Sequence, residues 1–282
     1  MKQSIPRARV EIDLGALQRN GAALARRCGV PLLPMIKADA YGLGAEAVFR
    51  SLETLEPWGY GVATVAEGEE LRSLGATRPV LVFTPLLEQD LARVRSARLT
   101  PTLGYPQEIE AWRRAGGGAW HLSIDTGMSR AGIPWRQVGE IRNLLELHPP
   151  EGAFTHFHSA ELDDGSLAAQ EKIFRDAIAS LPSRPRLLHT DNSAAIARKG
   201  RSAWDLVRPG IFLYGVGSGR TAALQPEPVV HLRAPIVEIR ELEPGDTVSY
   251  GATLRVERRA RIATLAVGYA DGYPRSLSKS GS

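Results

Sequence analysis

Cysteine is nearly absent. Cys28 is the only one in 282 residues, which excludes an internal disulfide and any cysteine-rich metal site and fits a reducing compartment. No apolar run is long enough to span a bilayer as a helix. The opening residues MKQSIPRARVEIDL lack the apolar stretch and small-residue cleavage site of a secretory signal. A soluble cytoplasmic protein, with no membrane partner, is the expectation. There is no lysine-rich block either. The 35 Lys and Arg against 31 Asp and Glu leave a net charge of +4 that comes from scattered arginines. With no basic run interleaved with aromatics, a nucleic-acid partner is not expected. No Gly-x-Gly-x-x-Gly follows the first apolar run, which removes the main support for a doubly wound dinucleotide-binding sheet.

What is present is an alternation. Short apolar runs at residues 32–36, 60–63, 80–83, 99–103, 120–124, 152–157, 187–189 and 205–207 alternate with segments of helical periodicity. Such alternation argues for parallel strands joined by crossover helices, and eight strands close a barrel. The expected fold is therefore α/β, an eight-stranded (β/α)8 barrel of the TIM type over residues 10–224. Past Gln225-Pro-Glu-Pro228 the helical periodicity stops. Strand-like runs follow at 229–239, 247–250 and 262–267, with Glu243-Pro-Gly-Asp246 as a turn. Residues 225–282 read as an incomplete all-β domain, with residues 1–13 available to pair with it. Three strands seldom bury a core unaided.

In a parallel barrel the chemistry collects at the carboxyl ends of the strands. Lys37 ends the first apolar run, Asp125-Thr-Gly-Met-Ser-Arg130 follows the fifth, His156 ends the sixth, and Asp191-Asn-Ser193 and Arg208-Pro-Gly210-Ile211 follow the last two. Each alone has a plain reading as a satisfied core histidine, a solvated arginine or a helix cap. Five on one rim are harder to assign to chance. A serine opening a helix beside the amides near Gly210 makes a phosphate cradle where barrels commonly dock phosphate. A lysine opposite it, a nucleophile toward aldehydes, with an arginine between, suggests pyridoxal 5'-phosphate.

The stretches Lys37-Ala-Asp-Ala-Tyr41-Gly, Asp125-Thr-Gly-Met-Ser-Arg130, Thr155-His156-Phe, Asn192-Ser193-Ala-Ala, Arg208-Pro-Gly-Ile-Phe-Leu-Tyr214-Gly and Val267-Gly-Tyr269-Ala-Asp-Gly resemble the bacterial alanine racemase family in order and spacing. The resemblance implies a fold-type III pyridoxal 5'-phosphate enzyme that interconverts L- and D-alanine for peptidoglycan. On that resemblance Lys37 would carry the cofactor and act as base on one face of the substrate. Tyr269, supplied across a head-to-tail homodimer interface, would be the base on the other face. Arg208 would face the pyridine nitrogen with His156 supporting it, while Tyr41, Ser193, Gly210 and Ile211 would hold the phosphate. Arg130 would orient the substrate carboxylate, and no metal is implied. A guanidinium gives up no proton to the ring nitrogen, so the ring should be a weaker electron sink that discourages transamination. A tyrosine base needs cationic neighbours, and His156 and Arg208 are the candidates.

Two departures stand out. Many relatives carry a carbamylated lysine two residues before the Asp-Thr-Gly-Met motif, where this chain has Ser123, so another anion is expected to position Arg130. The family also continues past Gly272-Tyr273-Pro-Arg275 for most of another β domain. The chain therefore reads as a C-terminally truncated member whose activity and dimerisation depend on the missing strands. Two alternatives compete: a non-catalytic barrel that carries the cofactor, and a metal-dependent barrel hydrolase using His156, His158 and His189. Met128 and Cys28 read as packing, and Trp112, Trp120 and Trp204 as filling between barrel and helices.

Overall fold

The computed structural model describes residues 8–219 and 222–277. It divides into two compact units: Asp13–Val229, and a second that joins the N-terminal residues up to Ile12 to the chain from Val230 onward. The division falls a few residues away from the boundaries read at 10 and 224.

The larger unit is the barrel. Seven parallel strands lie side by side in chain order: Tyr60–Val62, Val80–Val82, Thr100–Leu103, His121–Asp125, Gly152–Phe154, Leu187–Asn192 and Leu206–Arg208. Residues 32–36 fill the gap between the first and last. Their hydrogen bonds run both ways: the Leu33 amide donates to Val207 O at 2.8 Å and the Ile36 amide to Gly61 O at 2.8 Å. Pro31 and Pro34 remove two donors from this eighth stave, so it closes the cylinder through isolated bridges, Leu32 to Val207 and Met35 to Gly61, rather than a continuous ladder. The fold is the parallel barrel with surrounding helices, as the alternation of the sequence implies.

Helices follow the strands as the periodicity requires. Leu14–Cys28 starts from an Asp13 cap, whose carboxylate accepts from the Ala16 amide, and stops at Gly29 in the left-handed region. Val65–Ser73 opens with a capping box of Thr64 and Glu67. Trp112 and Trp120 are buried in the barrel core, as is Cys28. Burial raises the Cys28 thiol pKa, so the one cysteine is an inert packing group.

The second unit is antiparallel. Arg9–Ile12 pairs with Val230–Arg233, Ile236–Leu242 with Ala260–Leu265, and Thr247–Val248 with Leu254–Arg255. The run expected over 229–239 is thus two strands. They separate at Ala234-Pro235, where the proline has no amide for a ladder. The expected turn is present, with the Glu243 amide donating to Asp246 Oδ2 at 2.8 Å and Gly245 at φ 98°. Ile236, Val237 and Ile239 are more than half exposed.

Candidate active site

Lys37 leaves the first stave into an unusual turn. Ala38, Asp39, Ala40 and Tyr41 have φ between 50° and 59°, a left-handed turn without a glycine. Each such residue costs about 1–2 kcal/mol, and backbone of this kind persists only where its surroundings hold it. Here they do. The Ala38 amide donates to Glu67 Oε1 at 2.8 Å. Asp39 Oδ1 accepts from the Ala45 amide at 2.6 Å. The Ala40 amide donates to Ile36 O and the Gly44 amide to Asp39 O, both at 3.0 Å. The turn brings Lys37 Nζ to 5.7 Å from the centre of the Tyr41 ring. Tyr41 in turn packs on Tyr214 with ring centres 4.6 Å apart, and the Tyr214 hydroxyl donates to Met35 O at 2.7 Å.

Lys37 and Tyr41 face a cavity of about 740 Å³ at the carboxyl ends of the strands, which Arg130, His156, Ser193, Arg208, Gly210 and Ile211 also line. Eight of the nine residues picked from the sequence therefore share one cavity. Tyr269 belongs to the other unit, in the turn Tyr269–Asp271, where it is 70% exposed and its ring centre is 6.0 Å from the Arg275 guanidinium.

Three groups make one wall of the cavity an anion cradle. Ser193 Oγ accepts from the amides of Gly210 at 2.8 Å and Phe212 at 3.3 Å, leaving its own hydrogen to donate outward. A Cβ on Gly210 would stand 2.6 Å from the Tyr41 hydroxyl, so the glycine is what lets that hydroxyl approach the loop. Burial raises the Tyr41 pKa and keeps the hydroxyl protonated as a donor.

Arg208 is 3% exposed. Its Nη1 donates to His189 Nδ1 at 2.8 Å and to His189 O at 2.6 Å. Its Nη2 donates to Thr155 O at 2.8 Å and Thr190 O at 3.1 Å, and lies 3.4 Å from His156 Nδ1. Burial lowers its pKa to about 9, which leaves it charged at neutral pH. His156, by contrast, is neutral. Burial, then Arg208, Arg130 and Lys37, bring its pKa to about 3. The expectation of a cationic His156 is corrected accordingly, because a second positive charge beside a buried guanidinium finds no counter-ion there.

The Asp125-Thr-Gly-Met-Ser-Arg130 loop is shaped by its aspartate. Asp125 Oδ1 accepts from the amides of Gly127, Met128 and Ser129 at 2.9, 2.9 and 3.1 Å, so the carboxylate is spent on the loop and not on Arg130. Arg130 is exposed and forms no ion pair among the described residues. Ser123 and Met128 line the same cavity, which gives Met128 a place beyond packing.

Sequence reading missed the groups that hold these side chains in place. Gln170, on the helix Ser166–Ala179, donates to Thr126 Oγ1 at 3.1 Å and His156 O at 3.2 Å, tying two rim loops together. His189 lies closer to Arg208 than His156 does. Glu67, which caps the helix Val65–Ser73, also anchors the lysine turn. The histidines considered as metal ligands do not converge. Both ring nitrogens of His189 are taken, and His158 Nδ1 is 2.7 Å from Ser159 Oγ. Among the described residues no group of three His, Cys, Asp or Glu could hold a metal ion.

The comparison with known families fits this geometry. Residues 12–218 match the alanine racemase N-terminal domain and residues 229–282 the alanine racemase C-terminal domain. The chain belongs to the alanine racemase family. It is 38% identical to alanine racemase of Deinococcus radiodurans over 97% of this chain and 78% of that protein. With alanine racemase of Geobacter sp. strain M21 it shares 37% identity over 96% of this chain and 77% of the relative. Among solved structures, biosynthetic alanine racemase from Pseudomonas aeruginosa superposes with a TM-score of 0.83 at 31% identity, covering 97% of this chain and 78% of that one. The Bartonella henselae alanine racemase, solved with covalently bound pyridoxal phosphate, gives 0.82 at 25% identity over 97% and 79%.

Proposed function

We propose that this chain racemises alanine with pyridoxal 5'-phosphate, and that a head-to-tail homodimer supplies the second base. The observation that carries the reading is one cavity holding Lys37, Arg208 and the Tyr41–Ser193–Gly210 cradle. The donor set suits the cofactor. The Tyr41 and Ser193 hydroxyls with the Ile211 amide meet a phosphate, while Arg208 Nε–H, without an acceptor among the described residues, meets a ring nitrogen. When bound, the cofactor supplies an electron sink that makes the substrate α-proton removable.

The chain's residues supply the rest. Lys37 holds the cofactor and exchanges the α-proton on one face, and Tyr269 of the partner subunit exchanges it on the other. Inversion needs removal on one side and delivery on the opposite side, so two bases suffice. Arg208 offers the ring a hydrogen bond without protonating it, since a guanidinium releases its proton far less readily than an acid. Arg130, without an ion pair among the described residues, orients the substrate carboxylate. Neutral His156 accepts from Arg208 Nη2 at Nδ1, which puts its proton on Nε2 as a hydrogen-bond donor. No helix among the described residues is long and apolar enough to cross a membrane. Cytoplasmic supply of D-alanine for peptidoglycan is the role that membership of the alanine racemase family supports.

Purified chain incubated with pyridoxal 5'-phosphate is expected to show the visible absorption of a lysine-linked cofactor, to be bleached by borohydride, and to form D-alanine from L-alanine. A Lys37→Ala protein that kept a borohydride-reducible cofactor would refute the assignment. Bound cofactor without D-alanine formation would leave a carrier rather than a racemase.

A further inference from the structure

A line of three side chains runs inside the barrel from Arg208 away from the cavity. Arg208 Nη1 donates to His189 Nδ1 at 2.8 Å, and His189 Nε2 lies 2.7 Å from His121 Nδ1. Both imidazoles are fully buried. Only one arrangement of protons satisfies them. Arginine has donors and no acceptor, so His189 Nδ1 must be bare and its proton must sit on Nε2. His121 Nδ1 must then accept, which puts the His121 proton on Nε2. That nitrogen has no hydrogen-bond partner among the described residues and stands 4.0 Å from Glu151 Oε2.

The surroundings are shaped for this line. His121 opens its strand, at the end opposite the cavity rim. On the neighbouring strand a Cβ at Gly152 would lie 2.5 Å from both Nδ1 and Cε1 of His121, so the ring occupies the space a side chain would take. Phe154 stacks on His189 at 5.1 Å with an 8° interplanar angle, and the Arg208 guanidinium carbon lies 5.1 Å from the centre of the same ring. The guanidinium thus rests on an aromatic face.

We propose that His121 is a positioning residue for Arg208. By accepting the Nε2 proton of His189 it holds the ring that receives Nη1, and so fixes the guanidinium edge offered to the cavity. The inference rests on the reading of Arg208 as partner of the cofactor ring and extends it to the barrel floor. Burial lowers the pKa of His121 to about 3 and that of His189 well below its ordinary value, so both rings stay neutral, as the proton arrangement requires.

The test has two arms on the full chain. In the first, 15N NMR of the cofactor-free protein reads the imidazole tautomers. Bare Nδ1 and protonated Nε2 are expected on both His121 and His189, and a proton on Nδ1 of either overturns the proposal without any variant. In the second, pyridoxal 5'-phosphate is titrated into wild type, His121→Asn and His121→Leu. The asparagine carbonyl replaces the Nδ1 acceptor, and the leucine leaves His189 Nε2–H buried and unmet. His121→Leu should bind the cofactor about tenfold more weakly, while His121→Asn stays near wild type. Equal affinity of the leucine variant, or equal loss in both, overturns the proposal. A wild-type chain that binds no cofactor refutes the proposed function instead, and the tautomers then decide the relay alone.

Discussion

The left-handed turn after Lys37 offers a test in which two substitutions at one exposed position act in opposite directions. Ala38 sits at φ 53° and its side chain is exposed, so a replacement there changes backbone preference and little else. Removing the Cβ in Ala38→Gly relieves about 1–2 kcal/mol of left-handed strain. The freer unfolded glycine costs about 0.5–1 kcal/mol in return. The balance is a gain of about 0.5–1 kcal/mol. Ala38→Val moves the other way, because a branched Cβ crowds this region further. The local amides are the reporters. Ala40 N donates to Ile36 O, Gly44 N to Asp39 O and Ala45 N to the Asp39 carboxylate. Native-state hydrogen exchange at these amides should slow by roughly 2–5-fold in Ala38→Gly and quicken in Ala38→Val. Equal exchange in the two variants would mean that the turn is not the conformation the chain holds in solution.

Glu67→Ala removes the acceptor shared by the Ala38, Ala63 and Thr64 amides. It should cost about 2–4 kcal/mol of unfolding free energy, the sum of a lost charged hydrogen bond and a lost helix cap, read from denaturant midpoints. Gly210→Ala places a Cβ 2.6 Å from the Tyr41 hydroxyl and should weaken cofactor binding about tenfold, by titration, with little change in thermal midpoint. Acid should destabilise the fold through its neutral histidines. Their folded pKa values, about 3 for His121 and His156, lie below the unfolded value, so their stabilisation is complete above that value and is lost as pH falls through 6.5 toward 3. Each contributes a slope of about 1.4 kcal/mol per pH unit inside that window, and thermal midpoints between pH 7 and 5 should fall less steeply in His121→Asn than in wild type. Tyr269→Phe should slow α-proton exchange from one enantiomer far more than from the other, and equal slowing would count against two bases.

The barrel was legible in the sequence because both of its periodicities were intact. Apolar runs alternated with amphipathic helices, and five of the eight runs led into residues that packing alone does not demand. The first stave was read as a strand and behaves as one, although its prolines break the ladder. The conformation of Ala38–Tyr41 was not legible. Nothing in Ala-Asp-Ala-Tyr signals left-handed backbone, and the groups that enforce it come from Glu67 and Ala45, distant or turned away in the linear order. Gln170 and His121 were missed for a related reason. A lone glutamine on a helix or a histidine opening a strand has an ordinary packing explanation, and only the closed cylinder brings each to its partner. In the second unit Pro235 was the signal that could have divided the run over 229–239.

Among the described residues no carboxylate pairs with Arg208, and that explains the character of the cavity. Asp191 is buried nearby, but Oδ1 accepts from Thr190 Oγ1 and Lys199 Nζ, and Oδ2 from Ser202 Oγ. Arg208 is left with backbone carbonyls and imidazoles, which solvate its charge without cancelling it. Lys37 and Arg130 add two cationic side chains to the lining, while Asp125 is spent on loop amides and Glu161 is the other carboxylate there. The field inside is positive because neutral groups do the solvating, and it favours an anionic phosphate and a carboxylate together. Introducing an acid opposite the guanidinium, as in His189→Asp, should pair that charge. The expected result is weaker cofactor binding despite a better-neutralised arginine. Tighter binding in His189→Asp would mean that the uncancelled charge is not what selects the ligand.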